Sequence, residues 1–138
     1  MKNLSKFKVA LKTRECLIQA IYQMFFDNKN IEEIVSQFKK EHNSSKVDFE
    51  SFSSDLHSVK DNIDVIERTL AAIDINHKNI ELIDKSILYF AVNEMLFGEL
   101  EKLIVIDESL RLSKKYSNPE SYKFINASLD KYLKTKAC

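Results

Sequence analysis

Glycine and proline are nearly absent from this sequence of 138 residues, which contains one of each. A β-rich fold needs many turn residues, and a loop that cradles phosphates needs several closely spaced glycines. The scarcity of both residues argues against a mainly β fold and against nucleotide-binding loops. It favours an all-α protein.

Groups that carry out chemistry are also scarce. The two cysteines, Cys16 and Cys138, are too few for a disulfide framework and lack metal-ligand spacing, which indicates a reducing compartment. His42, His57 and His77 stand singly, and no HExxH, CxxC or GxSxG motif occurs. We therefore expect no metal, no cofactor and no enzymatic activity.

Long apolar runs are missing as well. The longest candidate is interrupted by Gln19 and Gln23, so no stretch matches a signal sequence or a membrane span. The sequence predicts a cytoplasmic protein without a membrane partner.

What the sequence does contain is helical periodicity, with apolar residues recurring at steps of three and four through most of the chain. The length suits one domain with a substantial core, over residues 1–138. We predict a single compact bundle of about six or seven helices. A regular apolar seam over residues 49–73 predicts one long helix within it.

Residues 83–97, IDKSILYFAVNEMLF, are apolar around nearly the whole circumference of a helix. Such a helix must be buried by its neighbours, so we expect it at the centre of the bundle, with Gly98 as a left-handed C-cap. Glu94 interrupts this apolar surface, and Arg14 interrupts that of the first helix. A buried charge needs a partner. Either Arg14 pairs with Glu94, or Arg14 reaches a ligand phosphate.

Positive charge is concentrated at the start of the chain. Basic and acidic residues number 21 each, yet five basic residues and no acid precede Glu15. The pattern over residues 4–26 predicts an amphipathic helix with Leu4 and Phe7 in its apolar arc. Its exposed stripe contains Lys8, Lys12, Glu15, Gln19 and Gln23. The stripe either faces a polyanion or is an ordinary solvated surface.

A strong helix start at residues 117–120, SNPE, introduces the last helix. The periodicity places Phe124 opposite its apolar face, in the company of Glu120 and Lys123. An exposed phenylalanine beside lysines can stack an unpaired base. Single exposed aromatic residues are also common, so both interpretations are open.

Four collinear stretches, spread over nearly the whole chain, resemble motifs of the NusB family. Residues 13–22, TRECLIQAIY, resemble ARExALQxLY, and residues 84–95, DKSILYFAVNEM, resemble ExAILRIAxYEL. Residues 104–114, IVIDESLRLSK, resemble VAINEAxELAK, and residues 121–131, SYKFINASLDK, resemble SxKFVNGVLDK.

The resemblance implies a NusB-like RNA-binding domain that acts as a transcription antitermination factor. With a small ribosomal protein, also called Nus factor E, such a domain binds boxA-containing single-stranded RNA. It promotes processive transcription of ribosomal-RNA operons and acts on the RNA polymerase elongation complex indirectly.

The resemblance also implies which positions face RNA. Because lysines stand here in place of the family's clustered arginines, Lys6 joins the set, and Lys123 joins it beside Phe124. The candidate RNA-binding residues are Lys6, Lys8, Lys12, Arg14, Tyr22, Glu120, Lys123 and Phe124. Asp84 is implied for the ribosomal-protein side. We expect the lysines of the first helix and Phe124 to share one surface.

The long seam offers an alternative function. A seam of this kind can also form a coiled-coil dimer. The protein would then be a helical interaction module that binds no RNA and self-associates through its long helix.

Overall fold

The computed structural model describes the backbone of residues 2–137 and the side chains of residues 4–136. Within these residues the chain forms seven α-helices, one 3₁₀ turn (His77–Asn79) and no strand. The helices are α1 (Lys2–Asp27), α2 (Ile31–Glu41), α3 (Phe49–Asp61), α4 (Ile63–Ala72), α5 (Leu82–Phe97), α6 (Lys102–Tyr116) and α7 (Pro119–Ala137). The predicted all-α fold with six or seven helices is confirmed.

The chain divides into two compact units, of which the first ends at Asp61 and the second begins at Asn62. Helices α1 to α3 belong to the first unit, and α4 to α7 belong to the second. A single domain over residues 1–138 stays a prediction.

In the first unit, α1 packs against α2 and α3, and α2 packs against α3. A capping box starts α2: the Asn30 side-chain oxygen Oδ1 accepts from the Glu33 backbone amide at 2.9 Å, and the Asn30 side-chain nitrogen donates to the Glu33 carboxylate at 3.1 Å. The Thr13 hydroxyl accepts from the Asp48 amide at 2.9 Å, which fixes the start of α3 against α1.

The periodicity of α1 is misleading at two places. Leu4 and Phe7 were expected to face inward, but both are exposed, as is every side chain from 4 to 8. Among the described residues no neighbour covers these first turns. Glu15, expected in the exposed stripe, is only 7% exposed. Residues 15–18 are all buried, so the middle of α1 is covered around most of its circumference and its polar stripe is interrupted there, before the partly exposed Gln19 and Gln23.

The prediction of one long helix over residues 49–73 is wrong, because the chain breaks at Asn62 between α3 and α4. The Asn62 side chain donates to the side-chain oxygen Oδ1 of Asn93 in α5 at 3.1 Å, and the Asn62 backbone carbonyl accepts from the Ile66 amide at 2.9 Å. These contacts start a new helix at that point.

Most of the apolar seam is buried inside the chain. Helix α3 packs against α1 and α2, and α4 packs against α5. The buried seam residues are Phe52, Leu56, Val59, Ile66, Leu70 and Ile73. They are therefore not free to form a coiled-coil dimer, and the self-association alternative loses its surface.

Helix α5 is the centre of the second unit, as predicted. It packs against α4, α6 and α7, and all of residues 86–93 are buried. It ends at Gly98, whose backbone is extended (φ −90°, ψ −179°) rather than left-handed. A Cβ atom at this position would overlap the Glu94 carboxylate, so the glycine makes room for that side chain.

Candidate nucleic-acid interface

The exposed start of α1 carries positive charge without a nearby acid in the sequence. Lys6 and Lys8 are exposed and Lys12 is partly exposed. We call these three residues the α1 basic patch. No acid precedes Glu15, which is buried, and Arg14 is partly exposed one turn beyond the patch. Since all four cations lie on one helix, their relative placement is fixed by the backbone of α1.

A cysteine lies in the buried part of α1, one turn after Lys12. The Cys16 side chain is buried and free. Burial raises the pKa of its thiol, and the nearby Lys12 charge opposes this shift in part. The thiol is therefore held in its unreactive protonated form.

An aromatic pair occupies the other end of α1. The Tyr22 ring is partly exposed and stacks on the Phe26 ring, with centroids 5.8 Å apart and planes inclined by 16°. Phe26 is 68% exposed. Tyr22 was a candidate residue from the sequence and Phe26 was not, although the position of Phe26 one turn after Tyr22 indicates a shared face.

The second unit contributes the remaining candidate RNA-binding residues at the start of α7. The helix begins at Pro119 as predicted, and the Asn118 side chain accepts from the Ser121 amide at 2.8 Å. Glu120 and Lys123 are exposed, whereas Phe124 is only partly exposed instead of fully outward. We call Glu120, Lys123 and Phe124 the α7 patch. A common surface for the α1 basic patch and the α7 patch stays a prediction.

Asp84, the candidate partner-binding residue, is 5% exposed at the first turn of α5. Its carboxylate accepts from the Ser117 hydroxyl at 3.1 Å and from the Ser121 hydroxyl at 2.8 Å. These bonds hold the connection between α6 and α7 against the start of α5. Asp84 thereby supports the helix that presents the α7 patch, and its contact with a partner protein stays a prediction.

Glu94 is partly exposed at the last turn of α5. Its carboxylate accepts from the Leu100 amide at 3.3 Å, which caps the turn between α5 and α6. Arg14 belongs to the first unit, so the Arg14–Glu94 ion pair stays a prediction, as does the alternative that Arg14 reaches a phosphate.

A partly buried polar cluster in the second unit was not anticipated. The Tyr89 hydroxyl of α5 donates to the Glu67 carboxylate of α4, and His77 Nδ1 lies 3.4 Å from the same carboxylate oxygen. Burial raises the pKa of Tyr89, and its bond to Glu67 and the Glu67 charge raise it further. The cluster joins α4, the 3₁₀ turn and α5, and it contains no nucleophile held in a reactive state.

The described part of the chain contains neither a metal-binding cluster nor a membrane-spanning helix. Among residues 4–136, no group of three His, Cys, Asp or Glu side chains could hold a metal ion. Within residues 2–137, every helix is too short or too polar to span a lipid bilayer.

The sequence is similar to those of a known protein family. The NusB family model matches residues 11–134. A transcription antitermination protein NusB from Aeromonas salmonicida is 31% identical over 126 residues, which cover 90% of this chain and 92% of the relative. The corresponding protein from Tolumonas auensis is 32% identical over 126 residues, which cover 89% and 91%.

Solved structures that are named as NusB share this fold. NusB of T. maritima superposes with a TM-score of 0.78 at 22% identity, over 90% of this chain and 89% of that one. A chain from a complex of antitermination factors NusB and NusE with double-stranded RNA gives 0.77 at 17% identity, over 92% and 97%. At these identities the structures establish the fold, while the family model and the sequence relatives establish descent. The chain belongs to the NusB family.

Proposed function

We propose that this protein is an RNA-binding transcription antitermination factor that works together with a ribosomal protein of the Nus factor E type. The observation that carries the proposal is the α1 basic patch, which lies in a stretch of the first helix of a NusB-family chain where no acid precedes Glu15. Lysine side chains on such a surface bind phosphates and release counterions. A structural neighbour that contains NusB, NusE and double-stranded RNA supports both partners.

The finer proposal concerns the RNA and its use. We propose single-stranded RNA that contains boxA, bound so that transcription of ribosomal-RNA operons becomes processive, with indirect action on the RNA polymerase elongation complex in the cytoplasm. Lys6, Lys8, Lys12 and Arg14 would contact phosphates. The partly exposed rings of Tyr22 and Phe124 support an unpaired strand, since a duplex hides the faces of its bases. Lys123 would add a phosphate contact and Glu120 would accept from base amino groups.

A salt titration tests this function on the full chain mixed with Nus factor E. With boxA-type single-stranded RNA, three to five phosphate contacts give a slope of about −2 to −3.5 in log affinity against log salt. Lys8→Ala should reduce the magnitude of the slope by about 0.7. Lys39→Ala, which removes an exposed lysine of α2 outside the patch, should leave it unchanged. A flat salt dependence, or equal slopes for wild type and Lys8→Ala, contradicts the proposal.

A further inference from the structure

Phe7 is a large aromatic residue that the fold leaves uncovered. It is 56% exposed in the first turns of α1, although the periodicity of the sequence predicts an inward position. Its neighbours Lys6 and Lys8 are exposed as well. The ring is therefore accessible within the first 14 residues, which contain five basic residues and no acid.

The helix geometry places cations on both sides of this ring. Successive residues of an α-helix are separated by about 100° around the axis, so Lys6 and Lys8 project to opposite sides of the face that carries Phe7, and their long side chains can reach a strand that covers the ring. Arg14 lies seven residues later on nearly the same face, at an axial distance of about 10 Å. A nucleic-acid strand that runs along this face would meet one flat apolar ring between groups that bind phosphate.

We propose that Phe7 stacks on an unpaired base of the bound RNA while Lys6 and Lys8 contact the adjacent phosphates. This inference rests on the proposed function and adds a base-contacting residue that the NusB motifs do not contain. Stacking on phenylalanine tolerates any base, because every base has a π-face. The contact would therefore strengthen binding of single strands without selecting a sequence, and it would not form with a duplex.

Charge distinguishes Phe7 from the other exposed phenylalanines. Phe97 has a similar exposure of 52%, but the nearest ionisable residues in its sequence are Glu94 and Glu99. Phe26 is followed by the exposed Asp27 and stacks on Tyr22. Phosphates are repelled by carboxylates, so of these three rings only Phe7 is suited to an RNA backbone. Phe97→Ala is accordingly the matched control.

The test measures affinity of the full chain with Nus factor E for boxA-type single-stranded RNA at fixed salt. Phe7→Ala should weaken binding about 5- to 150-fold, which corresponds to about 1–3 kcal/mol at 1.4 kcal/mol per factor of ten. Phe7→Trp should bind at least as well as wild type, and Phe7→Leu should resemble Phe7→Ala because it is apolar without being flat. Phe97→Ala should bind normally. The salt slope of Phe7→Ala should equal that of wild type, since all cations remain.

Failure of this inference is distinguishable from failure of the proposed function. If wild type binds RNA with a steep salt slope and Phe7→Ala binds equally well, the inference is overturned and the function stands. If wild type binds no RNA, both fail. An exposed basic helix start can also adsorb to anionic lipid. Phe7-dependent sedimentation with phosphatidylserine vesicles, together with RNA binding that is independent of Phe7, likewise overturns the inference.

Discussion

At the scale of single residues, the hydrogen bond between Tyr89 and Glu67 makes the free energy of unfolding depend on pH in the alkaline range. The Tyr89 side chain is fully buried and its pKa is raised by burial, by the bond to Glu67 and by the Glu67 charge. The unfolded chain releases the tyrosine proton near its ordinary pKa of about 10. The folded state holds this proton more tightly than the unfolded chain. The contribution of Tyr89 to the free energy of unfolding is therefore complete below pH of about 10 and declines as the pH rises above it.

We therefore expect Tyr89→Phe to lose about 1.5–3 kcal/mol of unfolding free energy at pH 7, because a hydrogen bond to a charged group is removed. Above pH of about 10 the difference in unfolding free energy between wild type and Tyr89→Phe should decrease by up to about 1.4 kcal/mol per pH unit. Urea denaturation from pH 7 to 11 measures both quantities. A gap that stays constant over this range contradicts the assignment.

The Phe124 ring is only partly exposed, so the proposed stacking on a base would use its uncovered part while the covered part contributes to stability. Phe124→Ala should weaken RNA binding by about 1–3 kcal/mol. It should also lower the free energy of unfolding, by about 1–2 kcal/mol for the apolar area lost. Phe124→Leu keeps much of the packing and loses the flat face, so it should recover stability but not affinity. Normal RNA affinity of Phe124→Ala would remove the stacking role.

At the scale of helices, Asp84 couples the start of α5 to the start of α7. Its carboxylate accepts from the hydroxyls of Ser117 and Ser121. Asp84→Ala leaves these groups without their acceptor, so we expect a loss of about 1–3 kcal/mol in unfolding free energy. Asp107→Ala, at an exposed aspartate of α6, should change it little.

The conservative variant Asp84→Asn separates the internal role from the role implied by the family. It keeps the shape of the side chain and one acceptor oxygen. If the folded variant binds Nus factor E more weakly than wild type, Asp84 serves the partner as well as the fold. An Asp84→Ala variant as stable as wild type would contradict the internal role.

The helices were predictable where local signals and periodicity agree. The capping box at Asn30, the start at Pro119 and the apolar circumference of α5 each depend on residues close together in sequence. The break at Asn62 was not predictable in this way. The steps of three and four continue across it, and the contact that accompanies it comes from Asn93, which lies far along the chain.

Periodicity also fails to predict which side chains of the candidate interface are exposed. Periodicity assigns an acid to the solvent, so Glu15 was expected outside and is buried. Conversely, Phe7 was assigned to the interior and is exposed, because a pattern does not show where a helix extends past its neighbours. The exposure of Lys8 was predicted correctly because a long charged side chain is almost always exposed, whereas Lys12 is only partly exposed.

At the scale of the whole molecule, the division into two compact units raises the question whether both unfold in one cooperative transition. The sequence predicts a single domain, and a unit of about 60 residues buries too little surface to be very stable alone. We expect one urea transition, with the slowest-exchanging amides of both units reporting the same free energy. Hydrogen exchange measured by mass spectrometry resolves the units separately. Two distinct midpoints would contradict the single-domain prediction.

The buried thiol of Cys16 can be used to detect local opening of the first unit. A thiol-specific reagent reaches the sulfur only when α1 parts from the helices around it, and the raised pKa slows the reaction further. Labelling kinetics at this position, followed by peptide mapping, would thus record transient opening of α1 in the unaltered protein. Protection of the thiol on adding RNA would reveal how far ligand binding tightens a helix whose first turns lie uncovered.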